Sequence, residues 1–128
     1  MIAVDSFESV QEVLKISRRT IGSGLSAVEF IDEHAMNLVT RQFKDNARFP
    51  FDNQHPFYML IEITSRIDDE GTELSNLLEN IADFMSEGVV AQDEKQYQQL
   101  WFLRKEIVNS GIDLGFVSSH NFQLNNSV

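Results

Sequence analysis

Residues 93–108 read DEKQYQQLWFLRKEIV, and this stretch predicts a helix around which the fold is organised. Asp93 suits an N-cap position, and Gln96 three residues later suits the second half of a capping box. The apolar residues of the stretch recur at the spacing of one helical face. We therefore expect a buried stripe made of Tyr97, Leu100, Trp101 and Val108.

Arg104 interrupts this stripe one turn after Trp101. A guanidinium on an apolar face needs a partner, because burying an unpaired charge is costly. Two interpretations stay open. Arg104 forms an internal ion pair with Glu29, Glu62 or a neighbouring acid, or it clamps the carboxylate of a ligand, for which the guanidinium geometry is well suited.

The rest of the chain alternates predicted strands with predicted helices. Helices are expected to begin after Ser6 and Asp32 and to resume near Leu74, with Gly88 as a C-terminal cap of the third. With the helix after Asp32 set aside as an insertion, the order is βαββαβ followed by one more helix. We therefore predict an α+β fold with a ferredoxin-like core, an inserted helix and an additional C-terminal helix. A doubly wound parallel sheet is the alternative from periodicity alone. The predicted strands are 1–4, 25–31, 57–63 and 89–91, with a possible last strand at 116–119.

Composition indicates one folded domain over residues 1–120, with 121–128 as a frayed tail. The chain has 128 residues, 42% of them apolar, a net charge of −10 and no cysteine. Strong acidity argues against nucleic acid or an anionic membrane surface as a partner. No apolar run reaches the roughly 20 residues that span a bilayer, and no targeting segment precedes the first predicted strand.

Four segments in order carry a resemblance to a known family. They are Asp5-Ser6-Phe7, residues 25–32 (LSAVEFID), residues 57–62 (FYMLIE), and the helix with Ala91, Asp93, Gln96, Leu100-Trp101, Leu103-Arg104 and Glu106. Together they resemble the C-terminal domain of FAD-linked oxidases, nearest to D-2-hydroxyglutarate dehydrogenase. The D-lactate dehydrogenases and the glycolate oxidase flavoprotein are more distant relatives.

The resemblance implies a role for Arg104 as the residue that binds the substrate carboxylate of a small 2-hydroxy acid. Two further family contacts do not match: a lysine position is Ser119 here, and a threonine position is Val108. The family's whole enzymes use FAD and a divalent metal such as zinc, and pass a hydride from the hydroxyl-bearing carbon to the flavin. They are typically mitochondrial in eukaryotes. The family's ferredoxin-like domain carries helices on one sheet face.

The family's flavin-binding domain and metal-binding histidine motif are missing from these residues. We therefore expect a truncated substrate-side (cap) domain that binds no cofactor and is inactive alone. The histidines at 34, 55 and 120 have no metal-ligand spacing.

The alternative hypothesis is a non-catalytic ferredoxin-like domain that acts by association, and a small-molecule sensor is a lower-ranked one. Phe102 lies among polar residues on its helix, which indicates contact with another protein surface, either a second copy or a flavin domain. The alternative is that the tail of the chain covers this side of the helix. Glu29 and Glu62 are strand carboxylates. We expect them to line a sheet face opposite the helices or to pair with arginines.

Overall fold

The computed structural model describes residues 1–43, 48–64 and 71–109. Within these ranges the chain forms four strands and four α-helices, which alternate along the sequence. The predicted last strand at 116–119 and the tail at 121–128 lie outside the described residues. The elements in chain order are β1 (Ile2–Val4), α1 (Phe7–Ile21), β2 (Leu25–Asp32), α2 (Glu33–Gln42), β3 (Phe57–Ile63), α3 (Thr72–Ile81), β4 (Glu87–Gly88) and α4 (Glu94–Asn109).

The strands form one antiparallel sheet in the order β2-β3-β1-β4. β3 pairs with β2 along its whole length. It pairs with β1 only at its first three residues, and Ile2 with Met59 is the last pair between β1 and β3. This order with helices α1 and α3 as crossovers is the ferredoxin-like arrangement, so the predicted α+β class is confirmed. The antiparallel pairing rules out the doubly wound parallel alternative.

The helix starts follow the predicted capping chemistry. Ser6 Oγ accepts from the backbone N–H of Ser9 at 3.1 Å, and Asp32 Oδ1 accepts from that of Ala35 at 2.8 Å. These side chains satisfy backbone donors that have no partner inside the helix. Such local bonds explain why the starts of α1 and α2 are readable from sequence.

The start of α4 carries the predicted cap with one difference. Asp93 Oδ1 accepts from the Gln96 N–H at 2.8 Å, as a capping box requires. The Gln96 side chain reaches back to the N–H of Gln92 at 2.6 Å rather than to that of Asp93. The reciprocal half of the box is therefore shifted by one residue.

The fourth strand lies two residues before its predicted position at 89–91. α3 ends at Ile81, a short 3₁₀ turn covers residues 82–84, and β4 begins at Glu87. Ser86 N–H donates to Ala3 O and Val89 N–H donates to Met1 O, both at 2.8 Å. These bonds set the register against β1. Gly88 therefore lies in the strand and does not cap α3, so both predictions were wrong here.

Helices cover both faces of the sheet, whereas the family resemblance implied helices on one face. Alternating β3 residues show this: Tyr58 and Leu60 join the apolar cluster beneath α2 and α4, while Met59 joins the cluster beneath α1 and α3. All three residues are essentially buried. Burial on both sides explains why β3 reads as a nearly continuous apolar run. It also means that Glu29 and Glu62 do not line an open face.

The buried face of α4 is made of Leu100, Leu103 and Ile107. Tyr97 of the predicted stripe is 37% exposed and Trp101 is half-buried, so that stripe is rotated from the face that packs. The side chain of Val108 lies outside the described residues. Arg104 consequently lies at the edge of the packed face instead of its middle.

Phe102 is partly covered within the chain. Its ring meets Phe43, just after α2, edge to face at a centroid distance of 6.0 Å, and it packs against the apolar cluster beneath α2 and α4. Such aromatic pairs are a normal part of a protein core. The contact with Phe43 accounts for part of the Phe102 surface. Its contact with another protein surface stays a prediction.

Glu87 anchors the loop that precedes β3. Its carboxylate accepts from the backbone N–H of Asp52 and the side-chain amide of Asn53, both at 3.4 Å, and it also bonds the ring of His55. The hydrogen bond from His55 is the main reason that the pKa of Glu87 lies below its ordinary value. The loop is therefore tied to the short strand β4.

We expect Leu103→Ala to lower the free energy of unfolding by about 2–5 kcal/mol, because the fully buried side chain leaves a cavity between α4 and the sheet. Urea denaturation followed by circular dichroism measures this. Lys105→Ala on the exposed side of α4 is the control, with an expected change below about 0.5 kcal/mol. Equal effects of the two substitutions would contradict the observed packing.

We also expect Glu87 to contribute stability that depends on pH. Because the folded-state pKa is lowered from its ordinary value of 4.5, the contribution is present above that value and is lost as pH falls through the folded-state pKa. Glu87→Gln should flatten this acid limb of the stability curve. Glu79→Gln, an exposed position on α3, should leave it unchanged. An acid limb that survives in Glu87→Gln would show that other groups produce it.

Candidate functional site

α4 lies over two strand carboxylates, Glu29 of β2 and Glu62 of β3. In the sheet register Glu29 is opposite Leu60, and Glu62 follows Leu60 by two residues. Residues two apart on a strand share a face, so both carboxylates point to the side that α4 covers. We use the name α4 seam for these two acids together with Tyr97, Trp101 and Arg104.

Arg104 forms an ion pair with Glu29. Its Nε lies 2.9 Å and 3.1 Å from the two carboxylate oxygens of Glu29. Glu29 is 4% exposed, whereas the Arg104 side chain is 33% exposed. The pair therefore compensates a buried charge while part of the arginine side chain still reaches solvent. The internal ion-pair interpretation is confirmed, and the role of Arg104 in binding a ligand stays a prediction.

Trp101 connects the two ends of the α4 seam. The guanidinium carbon of Arg104 lies 5.5 Å from the centre of its ring, a distance at which a cation is attracted to the aromatic face. On the other side, the ring of Tyr97 lies 6.3 Å from Trp101. The indole thus stands between the ion pair and the tyrosine end of the seam.

The tyrosine end carries negative charge. The Tyr97 hydroxyl donates a hydrogen bond to a carboxylate oxygen of Glu62. This bond is the main reason that the pKa of Tyr97 is raised, because it favours the protonated phenol. A neutral donor does not cancel the charge of Glu62, whereas Arg104 does cancel that of Glu29. The two ends of the seam therefore differ in electrostatic character.

A cavity of about 350 Å³ adjoins the tyrosine end of the seam. It lies beside the part of β3 that extends past Met59, where the pairing of β1 with β3 ends. The space is enclosed by α3 on one face of the sheet and by α4 on the other. Among the described residues that line it, Glu62 is the one charged side chain. The walls include Leu60, Ile63, Leu74, Leu78, Tyr97 and Trp101.

The described residues do not supply a metal-binding cluster. Across residues 1–43, 48–64 and 71–109, no three histidine or acidic side chains come together in a way that could hold a metal ion. The sequence has no glycine-rich loop of the kind that cradles a dinucleotide phosphate. We therefore derive no chemical step through a metal or a flavin. No helix in the described part of the chain is long and apolar enough to cross a membrane.

Sequence reasoning identified Arg104 and both of its possible partners, but it did not identify the cavity or the Tyr97–Glu62 pair. One signal was available, because Tyr97 precedes Arg104 by seven residues and therefore projects from the same side of the helix. Of the two family contacts that do not match, Ser119 and the side chain of Val108 both lie outside the described residues.

Comparisons with known proteins point to one family. A family model described as "FAD linked oxidases, C-terminal domain" matches residues 1–122. The chain is 31% identical over 126 residues to a D-2-hydroxyglutarate–pyruvate transhydrogenase of Saccharomyces cerevisiae, covering 94% of this chain and 25% of that protein. It is 32% identical to the mitochondrial D-2-hydroxyglutarate dehydrogenase of Arabidopsis thaliana and 29% identical to that of Rattus norvegicus. These matches cover 96% and 92% of this chain and 22% of each relative, so the chain spans about a quarter or less of these relatives' length.

We expect Arg104→Met to lower the free energy of unfolding by about 3 kcal/mol, because it leaves the buried carboxylate of Glu29 without its cation. The double variant Glu29→Leu/Arg104→Met should recover most of this loss, since removing both charges leaves no unpaired group. Chemical denaturation of both variants measures the coupling. Arg41→Met, at an exposed position on α2, is the control. Additive losses in the double variant would contradict a buried pair.

Proposed function

Because the chain belongs to the family of FAD-linked oxidase C-terminal domains, we propose that it is the substrate-side domain of a flavin-dependent D-2-hydroxyacid dehydrogenase. The similarity to D-2-hydroxyglutarate dehydrogenases over nearly the whole chain supports this proposal. In this proposal the flavin and the metal are held by groups outside the described residues. The mitochondrion is the proposed compartment, since several relatives are named as mitochondrial enzymes.

Arg104 is the residue that we propose binds the substrate, and one observation carries this. About one third of its side-chain surface is exposed to solvent, while its Nε is bonded to both carboxylate oxygens of Glu29. An arginine fixed in this way loses little further side-chain entropy when a carboxylate approaches, which is how a prepared binding group gains affinity. In the whole enzyme Arg104 would bind the substrate carboxylate and so orient the carbon that bears the hydroxyl group.

Glu29 would act on the substrate only through Arg104, whereas Trp101 lies beside the guanidinium and lines the adjoining cavity. Glu29 sets the direction of the guanidinium, and the indole face beside it limits water on one side of the group. In this proposal the chain binds the carboxylate of the acid, and the flavin of the whole enzyme is the group that would accept the hydride.

The direct test is an isothermal titration of D-2-hydroxyglutarate and of D-lactate into the 128-residue chain. Arg104→Ala should abolish saturable binding of both acids, and Arg104→Lys should weaken it, because lysine keeps the charge but loses the planar fork. Arg41→Ala removes one positive charge at an exposed position on α2 and should leave binding unchanged. Circular dichroism of each variant confirms that it is folded. Binding that survives in Arg104→Ala, or no binding of either acid to the unchanged chain, would refute the proposal.

A further inference from the structure

We infer that the α4 seam and the adjoining cavity form one elongated site that selects a 2-hydroxy acid with an apolar side chain over a dicarboxylic acid. The inference rests on the proposed function, since it takes Arg104 as the group that binds the carboxylate. It adds the chemistry of the other end of the ligand, which the residues around Glu62 determine.

Trp101 contacts both parts of the site. Its ring centre lies 5.5 Å from the guanidinium carbon of Arg104, and the same side chain forms part of the cavity wall. In the inferred arrangement the ligand has its carboxylate at Arg104 and extends past the indole into the cavity, which Trp101 lines. The cavity volume of about 350 Å³ is at the small end of the roughly 300–1,000 Å³ typical of ligand sites, which suits a short chain.

The cavity walls favour an apolar chain. Leucines of α3 and the end of β3 surround the space, including Leu60, Leu74 and Leu78. Each methylene transferred from water to such surroundings strengthens binding by about fourfold. A longer alkyl side chain on the 2-hydroxy acid should therefore bind more tightly until the cavity is filled.

Glu62 disfavours a second carboxylate at the same place. It is the charged side chain in the described cavity wall, and the hydroxyl of Tyr97 that bonds it adds no positive charge. A dicarboxylic acid anchored at Arg104 would bring its second negative group among apolar side chains and towards Glu62. Loss of hydration and repulsion between like charges both oppose this placement.

Trp101 makes the test direct, because it is the one tryptophan of the chain and lines the site. Its fluorescence is followed while D-2-hydroxyhexanoate, D-lactate and D-2-hydroxyglutarate are titrated separately into the unchanged chain. Compared with D-lactate, the hexanoate has three more methylenes, so its dissociation constant should be lower by up to about 60-fold. It should also bind at least about tenfold more tightly than D-2-hydroxyglutarate.

Two variants separate the contributions of the cavity. Leu74→Phe adds bulk to the wall and should reduce the affinity for D-2-hydroxyhexanoate to that of D-lactate, which itself should not change. Glu62→Gln keeps the size of the side chain and a hydrogen-bond acceptor for Tyr97 while it removes the charge, so it should raise the affinity for D-2-hydroxyglutarate severalfold. Glu79→Gln, exposed on α3 and not among the residues that line the cavity, is the matched control and should change nothing.

The outcomes distinguish this inference from the function on which it rests. Equal affinity for all three acids, or tighter binding of the dicarboxylic acid, overturns the inference while leaving Arg104 as the carboxylate-binding residue. Absence of binding by all three acids overturns both. If Leu74→Phe does not fold, the comparison of Glu62→Gln with Glu79→Gln decides, because an unchanged affinity for D-2-hydroxyglutarate in Glu62→Gln overturns the electrostatic selection.

Discussion

The ion pair between Glu29 and Arg104 is the constraint on which the packing of the sheet face beneath α2 and α4 depends. Glu29 is almost completely buried on β2, so its charge requires a cation from the element that covers it. α4 supplies that cation 75 residues later in the chain. A buried pair of this kind adds little net stability compared with apolar residues of the same volume, but it selects one placement of the helix. That placement sets which side chains of α4 pack and which remain at the edge.

Once α4 is held in this way, the charges beside its two ends differ. At one end the charge of Glu29 is matched by Arg104, and at the other the charge of Glu62 is bonded only to the neutral hydroxyl of Tyr97. Trp101 separates the two. A ligand lying along the helix would therefore contact the guanidinium of Arg104, then the ring of Trp101, and then the apolar cavity beside Glu62. The order of these groups would determine which ligands bind.

The cavity is a consequence of strand lengths. β3 has seven residues and β1 has three, so β3 continues beyond the point where their pairing ends. Because helices cover both faces, the space beside the extension of β3 is enclosed on two sides and lined with apolar side chains. Phe43, just after helix α2, contacts Phe102 of α4. This part of the chain therefore supports α4 although it does not line the cavity.

Local chemistry made much of the fold predictable. The caps at Ser6, Asp32 and Asp93 lie within three residues of the donors that they satisfy, and β3 is apolar because both of its faces are buried. The rotation of α4 was not predictable, since two apolar stripes compete on it. Leu100 belongs to both, and packing against the sheet selects the one with Leu103 and Ile107. The same limit applies to Arg104, because sequence offered both Glu29 and Glu62 as partners and only tertiary structure distinguishes them.

The central claim is that Arg104 is held by Glu29 and also receives the carboxylate of a 2-hydroxy acid. Nitrogen-15 NMR of the arginine side chains tests this at the group itself. In the free chain the Nε–H of Arg104 should exchange slowly with water and lose this protection in Glu29→Gln. On saturation with D-lactate, the Arg104 Nε resonance should shift while that of Arg41 does not. A protected Nε that stays unchanged at saturating ligand would show that the pair is purely structural and would contradict the account.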